Sequence, residues 1–297
     1  MKPNIEKIKQ NKTIKELLEF GIININKPSG PTSFTVSEFI CKTLGLRKTS
    51  HFGTLDPKVT GVLPVALNRA CKLSRYFLGE DKTYVGIAQF HEETNLDKIR
   101  KKVKEKFLGR IIQTPPVKSR VKREPRPRKI YSFELLEKDG KNILFKVKCE
   151  GGTYIRKLID DLGHELGIGA HMLELRRTNA GIFFEDDSKY PNVTLYDFES
   201  AVKAYSQGDD SKLKKIIIPA EIISTILPSI EIYEKDKEKI FHGIPIKKEN
   251  LKEDFSKMPD DRFCVFSKDQ FIGVFKKSNE KELILRSEFT LQPIKQN

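Results

Sequence analysis

Thr83 to Phe90 (TYVGIAQF) is the stretch that most limits what this chain can fold into. Its apolar residues fall on both faces, so it reads as a strand in the middle of a sheet rather than at an edge. A sheet of that kind needs partners and covering helices, and the flanking sequence supplies both. Gly21 to Asn26 (GIININ), Val62 to Leu67, Ile143 to Cys149 and His171 to Thr178 read as further strands, the last with Leu173 and Leu175 on one face. Between them lie helical patterns. Thr35 to Leu44 follows Ser33 as a cap, Arg69 to Leu78 follows the second strand, and Asn95 to Leu108 carries an apolar stripe of Leu96, Ile99, Val103 and Phe107. Thr153 to Leu166 and Leu195 to Ala204 are two more.

After Pro228 the pattern changes to short strands at Ile230 to Tyr233, Phe263 to Phe266, Phe271 to Phe275 and Leu283 to Arg286, with a short helix near Lys235 to Phe241. The chain therefore divides into a polar N-terminal extension (1–20) with one helical stretch near Ile14, a larger mixed-sheet domain (21–227) and a small β-rich module (228–297). The class is α+β.

Composition narrows the partners. The net charge is +14, and the excess is not spread evenly. The segment 114–130 (TPPVKSRVKREPRPRKI) holds Lys118, Arg120, Lys122, Arg123, Arg126, Arg128 and Lys129 against a single acid, Glu124, and four prolines keep it extended. A solvated loop is one reading. An extended contact to a phosphate backbone is the other, and the charge concentration favours it. No apolar run approaches the ~20 residues of a membrane helix, and the lysine-rich start has no secretory core. Cys41, Cys71, Cys149 and Cys264 lie apart, in apolar contexts and without ligand spacing, which suits reduced core cysteines and no zinc site.

His51-Phe52-Gly53-Thr54-Leu55-Asp56 precedes Pro57 and the strand that follows. Gly and Thr form turns, and Pro57 biases Asp56 away from helix, so the carboxylate sits on a short stiff loop. Taken alone it is a turn-capping aspartate. Arg156 falls in the first turn of its helix, where the dipole disfavours a cation, and this implies an anionic neighbour.

Several separated segments together resemble one family, the TruB-type pseudouridine synthases. They are Lys27-Pro28-x-Gly30-Pro31-Thr32-Ser33, the Asp56 loop, Lys82-x-Tyr84, Gly152-Thr153-Tyr154-Ile155-Arg156 and Leu175-Arg176-Arg177-Thr178, in order over residues 21–186. Pro115-Pro116-x-Lys118-Ser119-x-Val121-Lys122-Arg123 and the Gly167 to Thr178 stretch resemble the archaeal and eukaryotic branch, the dyskerin-like subunit of the H/ACA ribonucleoprotein. Phe52 stands where the family usually has glycine.

The resemblance implies an isomerase that turns uridine into pseudouridine in RNA, without metal or organic cofactor. Asp56 would be the catalytic carboxylate, paired with Arg156. Tyr84, a core tyrosine on the bland reading, would stack on the target base and serve as a general base at C5. Leu175 would wall the other side. His51, otherwise a surface histidine, would hold the flipped nucleotide, and Lys27 would brace the catalytic loop. Lys118, Arg120, Lys122 and Arg123 would grip RNA together with a PUA-like C-terminal module. The implied partners are an H/ACA guide RNA, ribosomal RNA and small H/ACA proteins. A stand-alone enzyme acting on the TΨC-loop uridine of tRNA, and a non-catalytic RNA scaffold, are the rival readings. The implied location is intracellular: cytoplasm in an archaeon, nucleolus in a eukaryote, the former favoured by the lack of a lysine-rich tail.

Overall fold

Residues 3–116, 121–253, 259–278 and 284–293 are described by the structure, a computed structural model. Two short helices, α1 (Ile5–Asn11) and α2 (Ile14–Glu19), open it. Then come β1 (Gly21–Lys27), α3 (Ser33–Thr43), β2 (Thr49–His51), β3 (Thr60–Leu67), a 3₁₀ turn over Asn68–Leu73, α4 (Ser74–Leu78) and β4 (Lys82–Phe90). The chain continues through α5 (Leu96–Lys106), β5 (Gly109–Gln113), β6 (Arg126–Asp139), β7 (Asn142–Cys149), α6 (Ile155–Leu166), β8 (Ala170–Ala180), β9 (Phe183–Phe184), α7 (Leu195–Ser206), α8 (Ser211–Ile216) and β10 (Ile217–Pro219). Last are β11 (Ser229–Glu231), α9 (Lys237–Phe241), β12 (Arg262–Ser267), β13 (Gln270–Lys277) and β14 (Leu285–Thr290).

The larger sheet runs β10-β1-β3-β8-β4-β7-β6-β5, with β2 added on β3 and β9 on β8. It is mixed: β3 and β8 run parallel, while β4 is antiparallel to both β7 and β8. The smaller sheet runs β11-β12-β13-β14. The expected α+β class, a mixed sheet followed by a small β-rich unit, holds.

β4 is central as expected, but the strands buried on both faces are β1 and β3. Ile23, Ile25, Leu63 and Val65 face a core shared with α3, α5, α6 and α7. Ile22, Val62 and Ala66 face a second core, which Cys264, Phe266, Phe271 and Phe289 of the smaller sheet enter. β4 alternates between buried and half-buried positions, so its second face is only partly covered.

Three local expectations change. The N-terminal extension holds two helices, and Ile5 and Ile8 are buried in the second core beside Phe20, which stacks on Phe271 at 5.5 Å. Two apolar residues three apart are too few to announce a helix, yet here tertiary burial supports it. The N-cap of α3 is Thr32, whose hydroxyl accepts from the Thr35 amide; Ser33 points inward. Leu173 and Leu175 do not share a face: the β4–β8 register slips between Ile87 and Ala88, leaving Leu173 exposed at a bulge and Leu175 buried.

Candidate active site

The Asp56 loop joins β2 to β3 and is fixed by groups that donate to, or bond, its backbone. Lys27, fully buried, donates its ammonium protons to the carbonyls of Pro28 (2.7 Å), Pro57 (2.9 Å) and Val59 (2.9 Å). Burial pushes that ammonium below its ordinary value, and the nearby Asp56 carboxylate opposes the shift. The Ser33 hydroxyl accepts from the Leu55 amide at 2.8 Å and donates to the Leu55 carbonyl at 3.0 Å. The Val59 amide closes a turn on the Asp56 carbonyl at 3.0 Å. Phe52 points the opposite way. It is buried and stacks on Phe77 at 4.5 Å, so it anchors the loop from beneath.

Over this loop lies the start of α6. Arg156 Nη2 is 2.8 Å from Asp56 Oδ2, and the two side chains are 58% and 44% exposed. The anionic neighbour expected for an arginine at a helix N-terminus is therefore Asp56. An ion pair this open contributes only ~0–1 kcal/mol to stability, so its value is orientation.

Tyr84 projects from β4 into the helix-covered core and is 8% exposed. Burial raises its phenol above the ordinary value; the Arg177 guanidinium, which also bonds the phenol, pulls it down, and Asp56 adds a small upward push. Leu175 lies on the same face of the sheet, opposite Gly86 in register. A Cβ at Gly86 would come within 2.9 Å of Leu175 Cδ1, so the leucine covers the glycine beside Tyr84. His51 ends β2 with Nε2 3.1 Å from Thr54 Oγ1, and burial and Arg177 lower its proton affinity. The structure thus brings Asp56, Arg156, Tyr84, Leu175, His51 and Lys27 to one region.

The basic stretch springs from the same place. Gln113, at the end of β5 and buried, accepts from the Tyr154 amide at 3.0 Å and donates to the Tyr154 carbonyl at 3.2 Å, at the cap of α6. On the returning strand Arg128 Nε donates to the Gly152 carbonyl at 3.1 Å. Lys122 and Arg123 are exposed, with Lys122 paired to Glu124. Lys118 and Arg120 lie outside the described residues. A cleft of about 420 Å³ opens between β1, β3, β8 and the start of α7, lined by Lys27, Thr60, Arg176 and Tyr196 but not by Asp56 or Tyr84.

Ser33, Gln113 and Arg177 hold the site yet were not singled out by residue type or spacing. Ser33 looks like a helix cap, Gln113 like the polar end of an apolar run, and Arg177 like a motif neighbour of Leu175. Each acts through main-chain partners distant in sequence. Among the described residues no cluster of three His, Cys, Asp or Glu side chains suits a metal ion, and no helix is long and apolar enough to cross a membrane.

Residues 41–155 match the model of the TruB family pseudouridylate synthase N-terminal domain, and 156–224 match the tRNA pseudouridylate synthase B C-terminal domain. A protein named "Probable tRNA pseudouridine synthase B" from Methanopyrus kandleri is 44% identical over 79% of this chain and 68% of its own length. One of the same name from Methanocaldococcus jannaschii is 45% identical over 78% and 68%. Among solved structures, a Cbf5-Nop10-Gar1 complex matches with a TM-score of 0.85 at 36% identity, over 96% of this chain and 89% of that one. An H/ACA RNP bound to a substrate RNA containing 2'-deoxyuridine matches with a TM-score of 0.83 at 34% identity, over 96% and 89%. On these grounds the chain belongs to the TruB family of pseudouridine synthases, isomerases that act on uridine in RNA.

Proposed function

We propose that this chain is the catalytic subunit of a guide-dependent H/ACA particle, isomerising uridines of ribosomal RNA that a guide RNA selects. The observation that carries the reading is the likeness, over 96% of the chain in each case, to a Cbf5-Nop10-Gar1 complex and to an H/ACA RNP bound to a substrate RNA. That likeness extends past the catalytic sheet into the C-terminal strands, which we take as a PUA-like RNA-binding module. Small partner proteins of the same kind would position the substrate, and the particle would work inside the cell.

The chemistry assigned to the site exchanges an N1–C1′ bond for a C5–C1′ bond and moves the C5 proton, in net, to N1. Asp56 either adds to the sugar at C1′ or takes a C2′ proton as the base departs. Arg156 orients it. A paired uridine must be flipped out at a cost of a few kcal/mol, and an apolar enclosure by Tyr84 and Leu175 offsets that. Tyr84 takes the C5 proton. His51 holds the flipped nucleotide and Lys27 braces the loop. Lys118, Arg120, Lys122 and Arg123 track the RNA backbone, which makes binding salt-dependent.

A second reading, a stand-alone enzyme on tRNA, is favoured by the names of the archaeal relatives. A non-catalytic scaffold is disfavoured by the intact Asp56–Arg156 pair beside Tyr84. Asp56→Ala tests the assignment. Pseudouridine formation is expected to vanish while RNA affinity stays within about threefold, since the carboxylate makes no favourable phosphate contact. Surviving activity would overturn the role of Asp56.

A further inference from the structure

Arg177 is the largest side chain that is fully enclosed, at 1% exposure, and among the described residues no carboxylate lies within ion-pair distance of it. A buried guanidinium without a counter-ion is costly, and it persists only where its fork of donors is fully used. Here it is used on the catalytic loop. Nη2 donates to the Gly53 carbonyl at 3.0 Å, and Nε donates to the Val62 carbonyl at 2.8 Å. Gly53 precedes Asp56 and Val62 follows it, so one side chain spans the neck of the loop.

The backbone has been shaped to admit it. Gly53 has φ +95°, and a Cβ there would lie 3.2 Å from Arg177 Nη1. At the other end Gly61 has φ +99°, and a Cβ there would lie 2.2 Å from the Arg177 carbonyl. Arg177 is also the direct cross-strand partner of Tyr84 on β4. Arginine has no acceptor, so the phenol oxygen must accept from it, and the phenol's own proton is left free to point elsewhere.

We propose that Arg177 is the positioning residue that couples the two halves of the reaction. It clamps the neck of the Asp56 loop and holds the Tyr84 oxygen, fixing the distance between the group that attacks the sugar and the group that receives the C5 proton. In the second half, after C5 has bonded to C1′, the C5–H bond breaks and its electron pair forms C5=C6. The C6=N1 pair returns to N1, which takes a proton from water. Tyr84 oxygen accepts the C5 proton as its own O–H proton passes to water, and the adjacent guanidinium favours the charge that oxygen transiently carries. The groups acting on that phenol are Arg177 from β8, Cys149 from β7 and Asp56 from the loop. The inference rests on the Asp56 and Tyr84 roles given above.

The test uses full-length protein with its RNA, comparing wild type, Arg177→Lys, Arg177→Met and Asp56→Ala. Lysine keeps the charge but loses the fork; methionine loses both. Single-turnover rate is expected to fall about 10-fold in the lysine variant and about 100-fold or more in the methionine variant, with RNA Kd within about threefold. Substrates carrying hydrogen or deuterium at C5 add a readout that mere softening of the fold would not move. The isotope ratio is expected to rise by about twofold in Arg177→Met over wild type, because proton removal at C5 becomes limiting. A folded methionine variant with wild-type rate, or a slowed one with an unchanged isotope ratio, overturns the proposal. A lysine variant that fails to fold also overturns it, by making Arg177 a residue of the fold alone. Activity surviving in Asp56→Ala would instead fail the underlying assignment.

Discussion

Lys82 should contribute to stability in a way that grows from neutral to alkaline pH. The residue is 4% exposed, and its ammonium donates to the Leu78 carbonyl at 2.8 Å and to the Glu80 carbonyl. Burial, reinforced by Arg177 and opposed by Glu80, Cys149 and Asp81, lowers it from 10.5 to about 8. The difference of 2.5, at 1.36 kcal/mol per unit, makes charging this group cost about 3 kcal/mol of folding stability. The unfolded chain holds the proton up to 10.5, whereas the folded one releases it near 8. Between those values the unfolded state holds the Lys82 proton more often, so this residue's contribution to stability rises with pH. Below about pH 7 both states are protonated and the cost is constant. Integrated from pH 7 to 10, the recovery is about 2.5 kcal/mol. Lys82→Met removes this dependence and also loses the carbonyl bonds, a loss that does not vary with pH. Urea unfolding of wild type and Lys82→Met at pH 7 and 10 isolates the linkage as a difference of differences. Wild type should gain about 2.5 kcal/mol on the variant over that interval. A gap that stays constant within about 0.5 kcal/mol would mean that buried charge is not what distinguishes the two proteins.

Phe52→Gly should destabilise the chain by about 4–5 kcal/mol, from the lost stack on Phe77, the cavity and the added backbone freedom; Phe52→Ala in parallel urea unfolding separates the last contribution. Arg156→Met should leave stability within about 1 kcal/mol, since the pair is open and the helix dipole opposes the cation, yet lower turnover by about 100-fold. A large loss in melting temperature for that variant would show the pair to be structural. Cys149, buried and pushed up to about 12, and Cys264, also buried and raised, should resist iodoacetamide at pH 8 in the folded protein and react once it is denatured; mass spectrometry of labelled peptides reads this.

The sequence announced the loop bearing Asp56 because Gly, Pro and an apolar strand are local signals, and it announced Arg156 because a cation at a helix N-terminus lacks a local reason. The supports of the loop were hidden for the opposite cause. Ser33 and Arg177 bond carbonyls and amides, which every residue carries, so no pairing of residue types points to them. The strand pair β5 and β6 was hidden within and beside the basic stretch: β6 (RPRKIYSFELLEKD) mixes charge into its alternation and lies toward the sheet edge, where only part of one face is buried. At Leu173 a bulge broke the period-2 rule that had put it beside Leu175. Tyr84 illustrates a limit of another kind. A buried tyrosine on a central strand is ordinary core, and only the charge of Arg177 and Asp56 around it marks it as part of a site.

Guided action is tested most directly by tritium release from C5-labelled uridine in two transcripts. One is a tRNA alone; the other is a ribosomal-RNA fragment, with and without a matching H/ACA guide RNA and the small partner proteins. Release is expected from the ribosomal fragment only when guide and partners are present, with little from tRNA. Rapid release from tRNA alone, indifferent to the guide, would contradict it and establish the stand-alone enzyme instead.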